Sequence, residues 1–404
     1  MKTNERPRTP QWASGGGRGW GPPAAALAFA GLLAGCGDGG APAELQDAVI
    51  GTYASIVHAS YDDSLAGVRG LRAAIGRFLE SPSAETLEDA KAAWLAAREP
   101  YGQTEAYRFY GGPIDDADGP EALINAWPLD EGYIDYVEDA PGSGMINDPA
   151  AYPTIDRGLL VSMNEAGAEE NVSTGFHAIE FLLWGQDLSA SGPGTRPHTD
   201  YLEAESAGAA RRAAYLRTAA DLLVEHVEEV TEAWAPGQAG NYRSEFEAME
   251  PDEALQSVLV GIGVLSKSEL AGERIFTAYD NQDQEDEHSC FSDNSHRDII
   301  TNARGIANVY EGRYVRTDGS VIDGPGLDEL LSSVDPELAS ALGALLAESL
   351  TMVERIPVPF DQAIIDPGTR PVVLETVYVL QALGDRIAEA GTRLGLTINT
   401  ALPE

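Results

Sequence analysis

The chain has 404 residues, 43 % of them hydrophobic, which is enough to fill the cores of two or three domains of ordinary size. Its formal net charge of −39 argues against nucleic acid and anionic lipid as partners, because such a surface repels both. The acidity by itself is weak evidence for a metal site, since an acidic surface attracts cations diffusely.

The first element is predicted to be an export signal. A basic, Gly-rich stretch precedes the apolar run 24–34, which is too short to span a bilayer as a helix. The sequence Leu-Ala-Gly-Cys at residues 33–36 resembles the bacterial lipobox. We therefore expect residues 1–35 to be a lipoprotein signal peptide, Cys36 to be the lipidated first residue, and residues 36–43 to be a tether. A plain secretory signal that is cut nearby is the alternative.

The lipidation site determines the expected location. Gly37, rather than Asp, follows Cys36, which favours the outer membrane in the usual sorting of bacterial lipoproteins. The lipid is the only membrane contact that we expect, because no other stretch has about 18 uninterrupted apolar residues. Cys290 is the only other cysteine, so no internal disulfide can form if Cys36 is lipidated. We expect the protein in the cell envelope, facing the periplasm or the outside.

The first half of the mature chain is predicted to be helical. Apolar residues recur at spacings of three and four from residue 44 to about 79. Ser83 is a typical start for a second helix over 84–109, in which Pro100 predicts a kink. Residues 111–150 are rich in Gly, Pro and Asp and are expected to form a long loop region. Long loops in compact proteins are usually functional or mobile.

The helix over 84–109 carries an unusual face. Trp94, Arg98, Tyr101 and Glu105 fall on or near one side of it at helical spacing. A purely apolar stripe would be ordinary core, whereas a stripe that includes Arg and Glu is less ordinary. We take Glu105 and Arg98 as candidates for a polar site.

The most informative segment runs from Gly175 to Asp187. His177 and Glu180 stand three residues apart in an apolar run, so both point to the same side of a helix. Burying a carboxylate in such apolar surroundings costs free energy unless the carboxylate is paired or bound to a metal. The same spacing recurs where helical bundles build carboxylate–histidine metal sites. The alternative is a hydrogen-bonded pair inside a core.

The second half is predicted to be helical as well. Its helices span about 201–234, 252–279, 296–309, 335–354 and 371–394. Residues 311–325 are predicted to be a turn-rich insertion, and no stretch alternates as a large sheet requires. The predicted fold class is all-α, in two helical bundles at 44–200 and 201–404. Each bundle leads to a polar segment with a histidine, His177 or His288, so an ancient duplication is a hypothesis.

The densest polar stretch lies between two apolar helices, at residues 280–298. A run of charges is normally a solvated loop, but the interleaved Cys290 and Phe291 argue against simple solvation. Zinc ligation by His288 and Cys290 has little support, because no paired Cys-x-x-Cys or His-x-x-x-His accompanies them. The candidates in this stretch for positioning ligands or contacting substrate are Asp286, Glu287, His288 and Asp293.

Two motifs carry a resemblance to a known family. Gly175, His177 and Glu180 match the Gly-x-His-x-x-Glu motif of the imelysin family, also called imelysin peptidases, and residues 283–294 resemble its branch of iron-regulated protein A. The resemblance covers about residues 44–400. It implies an all-α fold of two bundle-like domains with the His-x-x-Glu helix near their junction. It also implies a cell-envelope location and a link to iron uptake.

The favoured function is a metal-binding protein that serves iron uptake. Imidazole and carboxylate ligands suit iron, and the same atoms make zinc possible. Arg98 is expected to hold the ligands in place. The predicted metal ligands are His177, Glu180, Glu105 and Asp130. The expected partners are a metal ion or chelate and an iron-transport protein of the envelope.

Two other functions stay open. A metallopeptidase needs a metal with an open position, a bound water and a general base. Glu180 could be the base or a ligand, but not comfortably both. The third possibility is a non-catalytic receptor or scaffold, in which the polar motif only joins two bundles.

Overall fold

The computed structural model describes residues 41–189 and 191–403, and helices dominate it, which confirms the all-α prediction. The predicted signal peptide and Cys36 lie outside the described residues. Short 3₁₀ turns occur at Glu105–Tyr107 and His198–Tyr201. The helices of the first half are α1 (Ala43–Glu80), α2 (Ala84–Thr104), α3 (Glu121–Ile124), α4 (Glu131–Ile134), α5 (Gly144–Asn147), α6 (Arg157–Met163), α7 (Gly175–Trp184) and α8 (Ala209–Ala233).

The second half contains longer helices and one hairpin. A π-helix at Leu265–Thr277 continues α10 into α11, and a 3₁₀ turn follows at Gln284–Asp286. The predicted turn-rich insertion holds an antiparallel pair, β1 (Arg313–Val315) and β2 (Val321–Asp323). The helices are α9 (Tyr242–Phe246), α10 (Pro251–Val264), α11 (Ala278–Asn281), α12 (Ser295–Tyr310), α13 (Leu327–Val334), α14 (Pro336–Arg355), α15 (Phe360–Ile365) and α16 (Arg370–Arg393).

Local sequence signals explain where the second helix begins. The Ser83 hydroxyl accepts a hydrogen bond from the Thr86 amide at 3.2 Å, and the Ser83 amide donates to the Thr86 hydroxyl at 3.1 Å. These two bonds form a capping box, which satisfies amides that the helix itself leaves unpaired. α2 then runs through Pro100 to Thr104 as one helix.

The helix that carries the His-x-x-Glu motif lies at the centre of the fold. All ten residues of α7 are buried, and α7 packs against both α2 and α8. Around it, α1 packs on α2, α8 and α10, so helices from both sides of residue 200 share one core. The described residues, 41–189 and 191–403, belong to one compact unit. The division at residue 200 and the duplication stay predictions.

α12 brings the second polar stretch to α2. The Asn302 amide group donates to the Gly102 carbonyl at 2.9 Å. The two helices lie so close together that a Cβ at Gly305 of α12 would be 2.3 Å from the Gln103 carbonyl oxygen of α2. Only glycine, which has no Cβ, avoids this overlap. This contact places the start of α12 beside the polar face of α2.

Among the described residues, one helix is long and apolar enough to cross a membrane. It spans Pro251–Asn281, and 67 % of its most apolar window is buried inside the protein. Core helices of soluble proteins pass the same length and composition test, so this helix is weak evidence for a membrane span.

Candidate metal centre

A glycine sets the start of the motif helix. Gly175 has φ of 82°, in the left-handed region that disfavours other residues. A Cβ at this position would lie 2.4 Å from the Ile124 carbonyl oxygen. The next carbonyl, that of Phe176, accepts a hydrogen bond from the Trp94 indole at 3.0 Å. The first turn of α7 is therefore held in place from two sides, which fixes the direction of His177.

His177 and Glu180 meet as their spacing predicts. His177 Nδ1 and Glu180 Oε2 share a hydrogen bond of 2.9 Å, and both side chains are at most 1 % exposed. The other oxygen, Oε1, accepts from the amide of Ser292 at 2.9 Å and from its hydroxyl at 2.6 Å. Both oxygens of Glu180 are thus engaged, and the carboxylate orients the imidazole.

A second imidazole–carboxylate pair stands beside the first. His288 Nδ1 lies 2.9 Å from Asp298 Oδ2, and the rings of His177 and His288 meet edge to face with centroids 4.6 Å apart. Arg98 binds Asp298 Oδ1 through Nε at 3.2 Å and Nη2 at 3.0 Å. Both rings therefore present Nδ1 to a carboxylate. This arrangement leaves Nε2 of each ring for another partner.

Burial keeps both imidazoles neutral near pH 7. It lowers the pKa of His177 well below its usual value, and His288 and Arg98 add to the shift. It also lowers the pKa of His288 to about 4, with help from Arg274 and against the effect of Asp298. Burial raises the pKa of Glu180 to about 8, although Ser292 opposes the rise. This carboxyl is therefore largely protonated near pH 7 in the metal-free protein, and a cation bound to His177 would favour its ionised form. Neutral imidazole is the form that binds metals.

His177 Nε2 stands out among the polar atoms of the centre. It is buried and has no hydrogen-bond partner in the described structure. Buried polar atoms are nearly always paired, so an exception points to an absent partner such as an ion. A metal ion on Nε2 fits both the neutral ring and its carboxylate-bound Nδ1. Across the described residues, however, no three His, Cys, Asp or Glu side chains are placed to hold a metal together.

Glu105 is bound to arginines rather than directed at the imidazoles. Its Oε2 accepts from Arg108 and from Arg274, each at 2.7 Å. Burial opposes its ionisation, but Arg274 and Arg108 outweigh this and lower the pKa of Glu105 to about 2. Asn125 connects it to the centre, because it donates to Glu105 at 3.3 Å and accepts from Arg98 at 2.6 Å. In this structure Glu105 is an ion-pair partner.

The other predicted residues lie in different surroundings. Asp130 is exposed at the start of α4, and Asp286 accepts from the Asn281 amide group at 2.7 Å near the surface. Glu287 is buried next to His288, and its carbonyl accepts from the Trp127 indole at 2.7 Å. Asp293 has φ of 55° and is partly exposed. The structure brings together His177, Glu180, His288 and Arg98, and it leaves Asp130 apart.

Several residues of the centre were missed from the sequence. Ser292 and Asp298 lie within the polar stretch 280–298, but nothing local shows which side chain reaches which helix. Arg274 lies in a helix expected to be core. A charged residue in a largely apolar helix indicates a polar site, as it does for Arg98, so the sequence does contain an indication of Arg274. Asn125 lies in the predicted loop region, and no pattern in the sequence indicates its role.

A cleft of about 310 Å³ opens at His288. The π-helix shapes one wall, because i→i+5 bonding brings Glu269, Glu273 and Arg274 to one side of the chain. Burial raises the pKa of Glu273, and Glu269 and Glu169, which line the same cleft, raise it further. The glutamates that line the cleft are Glu121, Glu165, Glu169, Glu269 and Glu273.

Comparison with known proteins agrees with this architecture. Iron-regulated protein A of Synechococcus elongatus is 27 % identical over 341 residues, which cover 82 % of each chain. A provisionally named iron-regulated protein A precursor from Parabacteroides distasonis has a TM-score of 0.66 at 20 % identity, covering 87 % of this chain and 97 % of that one. An imelysin-like protein from Psychrobacter arcticum has a TM-score of 0.63 at 14 % identity, covering 89 % and 98 %.

The family model described as Imelysin, Peptidase_M75, matches residues 57–387. This range includes α7, α12 and the whole polar stretch between them. Since the match extends over most of the 404 residues, the chain belongs to the imelysin family, as its two motifs predicted.

Proposed function

We propose that this protein binds iron through His177 and His288 and serves iron acquisition in the cell envelope. The observation that carries the proposal is the buried, unpartnered Nε2 of His177 beside a second carboxylate-oriented imidazole. Metal-binding histidines commonly give their other nitrogen to a carboxylate, as both rings do here. The name of the Synechococcus relative, iron-regulated protein A, supports iron as the metal.

This proposal changes the predicted role of Glu180. Its two oxygens bind His177 and Ser292, so it holds the first imidazole in place and Asp298 does the same for the second. When a metal binds Nε2 of His177, the remaining ring proton stays on Nδ1, facing Glu180. Water or a chelate supplies the further ligands, because imidazole and oxygen donors suit iron.

The acidic cleft is the route to the imidazoles. His288 lines it together with five glutamates and two arginines, Arg108 and Arg274, so acids outnumber bases in the lining and the cleft should concentrate cations. The resemblance of residues 33–36 to a lipobox is the basis for proposing an outer-membrane lipid anchor at Cys36. We propose a free metal ion or a chelate as the ligand and an envelope iron-transport protein as the partner.

The geometry favours a binding protein over a peptidase. Metal-dependent peptide hydrolysis needs a base that can take a proton from the metal-bound water. Glu180 is the acid that the motif provides for this task. Its Oε2 is hydrogen-bonded to His177, and its Oε1 accepts from the Ser292 amide, so neither oxygen is free to act as the base. Protein loaded with iron or zinc should therefore not cleave unfolded polypeptide at a chelator-sensitive rate.

Replacing the imidazoles tests the proposal. His177→Gln and His288→Gln should each weaken binding of Fe²⁺ and Zn²⁺ at least tenfold, because each removes a nitrogen ligand. Equilibrium dialysis with elemental analysis measures the stoichiometry, and circular dichroism checks that helicity is unchanged. His226→Gln is the matched control, since His226 is also buried and also precedes a glutamate, Glu229, by three residues. Unchanged metal binding in both test variants would refute the proposal.

A further inference from the structure

A second cavity lies between the segment that follows α4 and the loop that follows α7. Its volume is about 280 Å³, near the lower end of the range of about 300–1,000 Å³ that ligand pockets occupy. The residues that line it are distinct from those of the metal centre, and Val137, Leu188 and Pro197 give it apolar walls. Leu188 is 63 % exposed, so its side chain is free to pack against a ligand.

Arg196 contributes a buried donor to the lining of this cavity. Its side chain is 1 % exposed, and its Nη1 donates to Asp135 at 2.7 Å and to Asp200 at 3.1 Å. Its Nε is also buried, but it has no hydrogen-bond partner among the described residues. Leaving a buried donor unpaired is costly, and nearly all such groups in folded proteins have a partner. The Nε–H group therefore indicates an acceptor that the chain does not supply.

The backbone leaves room beside this donor and holds it in place. A Cβ at Gly185, which also lines the cavity, would lie 3.1 Å from Arg196 Cβ and 3.5 Å from Arg196 Nε. The missing side chain of Gly185 thus leaves space next to the unpaired donor. The Arg196 amide donates to the Trp184 carbonyl at 2.6 Å, and its guanidinium lies 5.1 Å from the ring centroids of Tyr136 and Phe181. These contacts fix the orientation of the guanidinium before a ligand arrives.

The charges around the cavity favour an acceptor that is itself uncharged. Asp135 accepts from Arg196 at 2.7 Å and from Arg212 at 2.6 Å, and Asp200 accepts from Arg196 as well. Two guanidinium groups thus meet two carboxylates, and Glu138 in the lining adds another negative charge. An anionic ligand would gain no net attraction from this group of charges, and the net charge of −39 would repel it.

We propose that this cavity binds a short uncharged peptide through one of its apolar residues. A peptide carbonyl accepts the hydrogen bond from Arg196 Nε, and the apolar side chain packs against Val137, Leu188 and Pro197. The volume corresponds to about nine water molecules at roughly 30 Å³ each, so the cavity holds one residue rather than a folded segment. None of the proposed metal ligands takes part, so this site does not depend on the iron proposal.

Saturation-transfer NMR of the purified protein with N-acetyl-leucinamide tests this site. We expect a dissociation constant in the low millimolar range, which is ordinary for so small a ligand. N-acetyl-leucine has the same apolar body but carries a carboxylate, so it should bind at least threefold more weakly at low ionic strength. Absence of saturation transfer to N-acetyl-leucinamide would overturn the proposal, because water would then be the partner of Arg196. Equal or tighter binding of N-acetyl-leucine would overturn the choice of an uncharged ligand.

Substitutions in the lining show whether the peptide binds in this cavity. Thr195 is an exposed lining residue, so Thr195→Trp should fill the cavity without disturbing the core and should weaken binding at least tenfold. Thr351→Trp is the matched control, because Thr351 is an exposed threonine of α14 outside the cavity, and it should leave the affinity unchanged. Equal affinity in Thr195→Trp and the wild type would overturn the proposal, since the peptide would then bind elsewhere.

Arg196→Lys tests the donor itself. Lysine keeps the positive charge but has no counterpart of the Nε–H group, so this variant should also weaken peptide binding at least tenfold. Circular dichroism checks that the variant is folded, and Thr195→Trp decides the question if it is not. His177→Gln should leave peptide binding unchanged, so the iron and peptide proposals can fail independently.

Discussion

Glu105 shows what a buried carboxylate requires in this protein. Its side chain is 1 % exposed and is bound by two guanidinium groups, those of Arg108 and Arg274. Breaking such a buried pair by removing one member is costly, because the remaining charges stay buried without a partner. The ion pair between Arg297 and Glu99, at 2.7 Å, has the same chemistry but is about 40 % exposed on each side.

Glu105→Ala should therefore destabilise the protein by about 3–5 kcal/mol at pH 7, whereas Glu99→Ala should cost less than about 1 kcal/mol. The pKa of Glu105 falls from 4.5 to about 2 on folding. The ionised side chain therefore stabilises the folded protein fully above about pH 4.5, and this stabilisation is lost as the pH falls towards 2. Urea unfolding at pH 7 and pH 3 measures both effects. The decrease in the free energy of unfolding caused by Glu105→Ala should be about 2 kcal/mol smaller at pH 3 than at pH 7. An equal loss at both pH values would contradict this account.

At the scale of elements, the start of α7 depends on one glycine. Gly175 combines a left-handed φ with contact to the Ile124 carbonyl, so a methyl group is disfavoured by both strain and overlap. Gly76 in α1 is the opposite case, because a Cβ there would meet nothing within 4 Å. We therefore expect alanine at these two positions to change the free energy of unfolding in opposite directions.

Gly175→Ala should lower the free energy of unfolding by about 2–4 kcal/mol and weaken metal binding, because it shifts His177. Gly76→Ala should raise the free energy of unfolding by about 1 kcal/mol, since alanine is the better helix former. Chemical denaturation of both variants beside the wild type makes the comparison. Equal effects of the two substitutions would show that α7 does not depend on the glycine conformation.

The whole molecule combines helices from distant parts of the chain. α1 contacts α8 and α10, and α2 contacts α12, so the two halves of the sequence share extensive contacts. The ion pair of Arg98 with Asp298 joins side chains 200 positions apart. Contacts of this kind couple the unfolding of the two halves.

We expect one cooperative unfolding transition, with far-UV circular dichroism and tryptophan fluorescence giving the same midpoint in urea. Tryptophans in both halves, Trp94 and Trp234, are fully buried and report on both. Two separate transitions would instead support independent bundles at 44–200 and 201–404. The same experiment therefore tests the domain division that the sequence suggested.

The sequence alone determined the features that depend on neighbours along the chain. Apolar periodicity predicted the helices, and a spacing of three predicted that His177 and Glu180 would meet, since helix geometry fixes both. The tertiary structure decided which distant groups join them. Ser292 reaches Glu180 and His288 reaches His177 because α12 docks on α2 and the polar stretch folds against α7. No local periodicity encodes such contacts, since they depend on how whole helices pack.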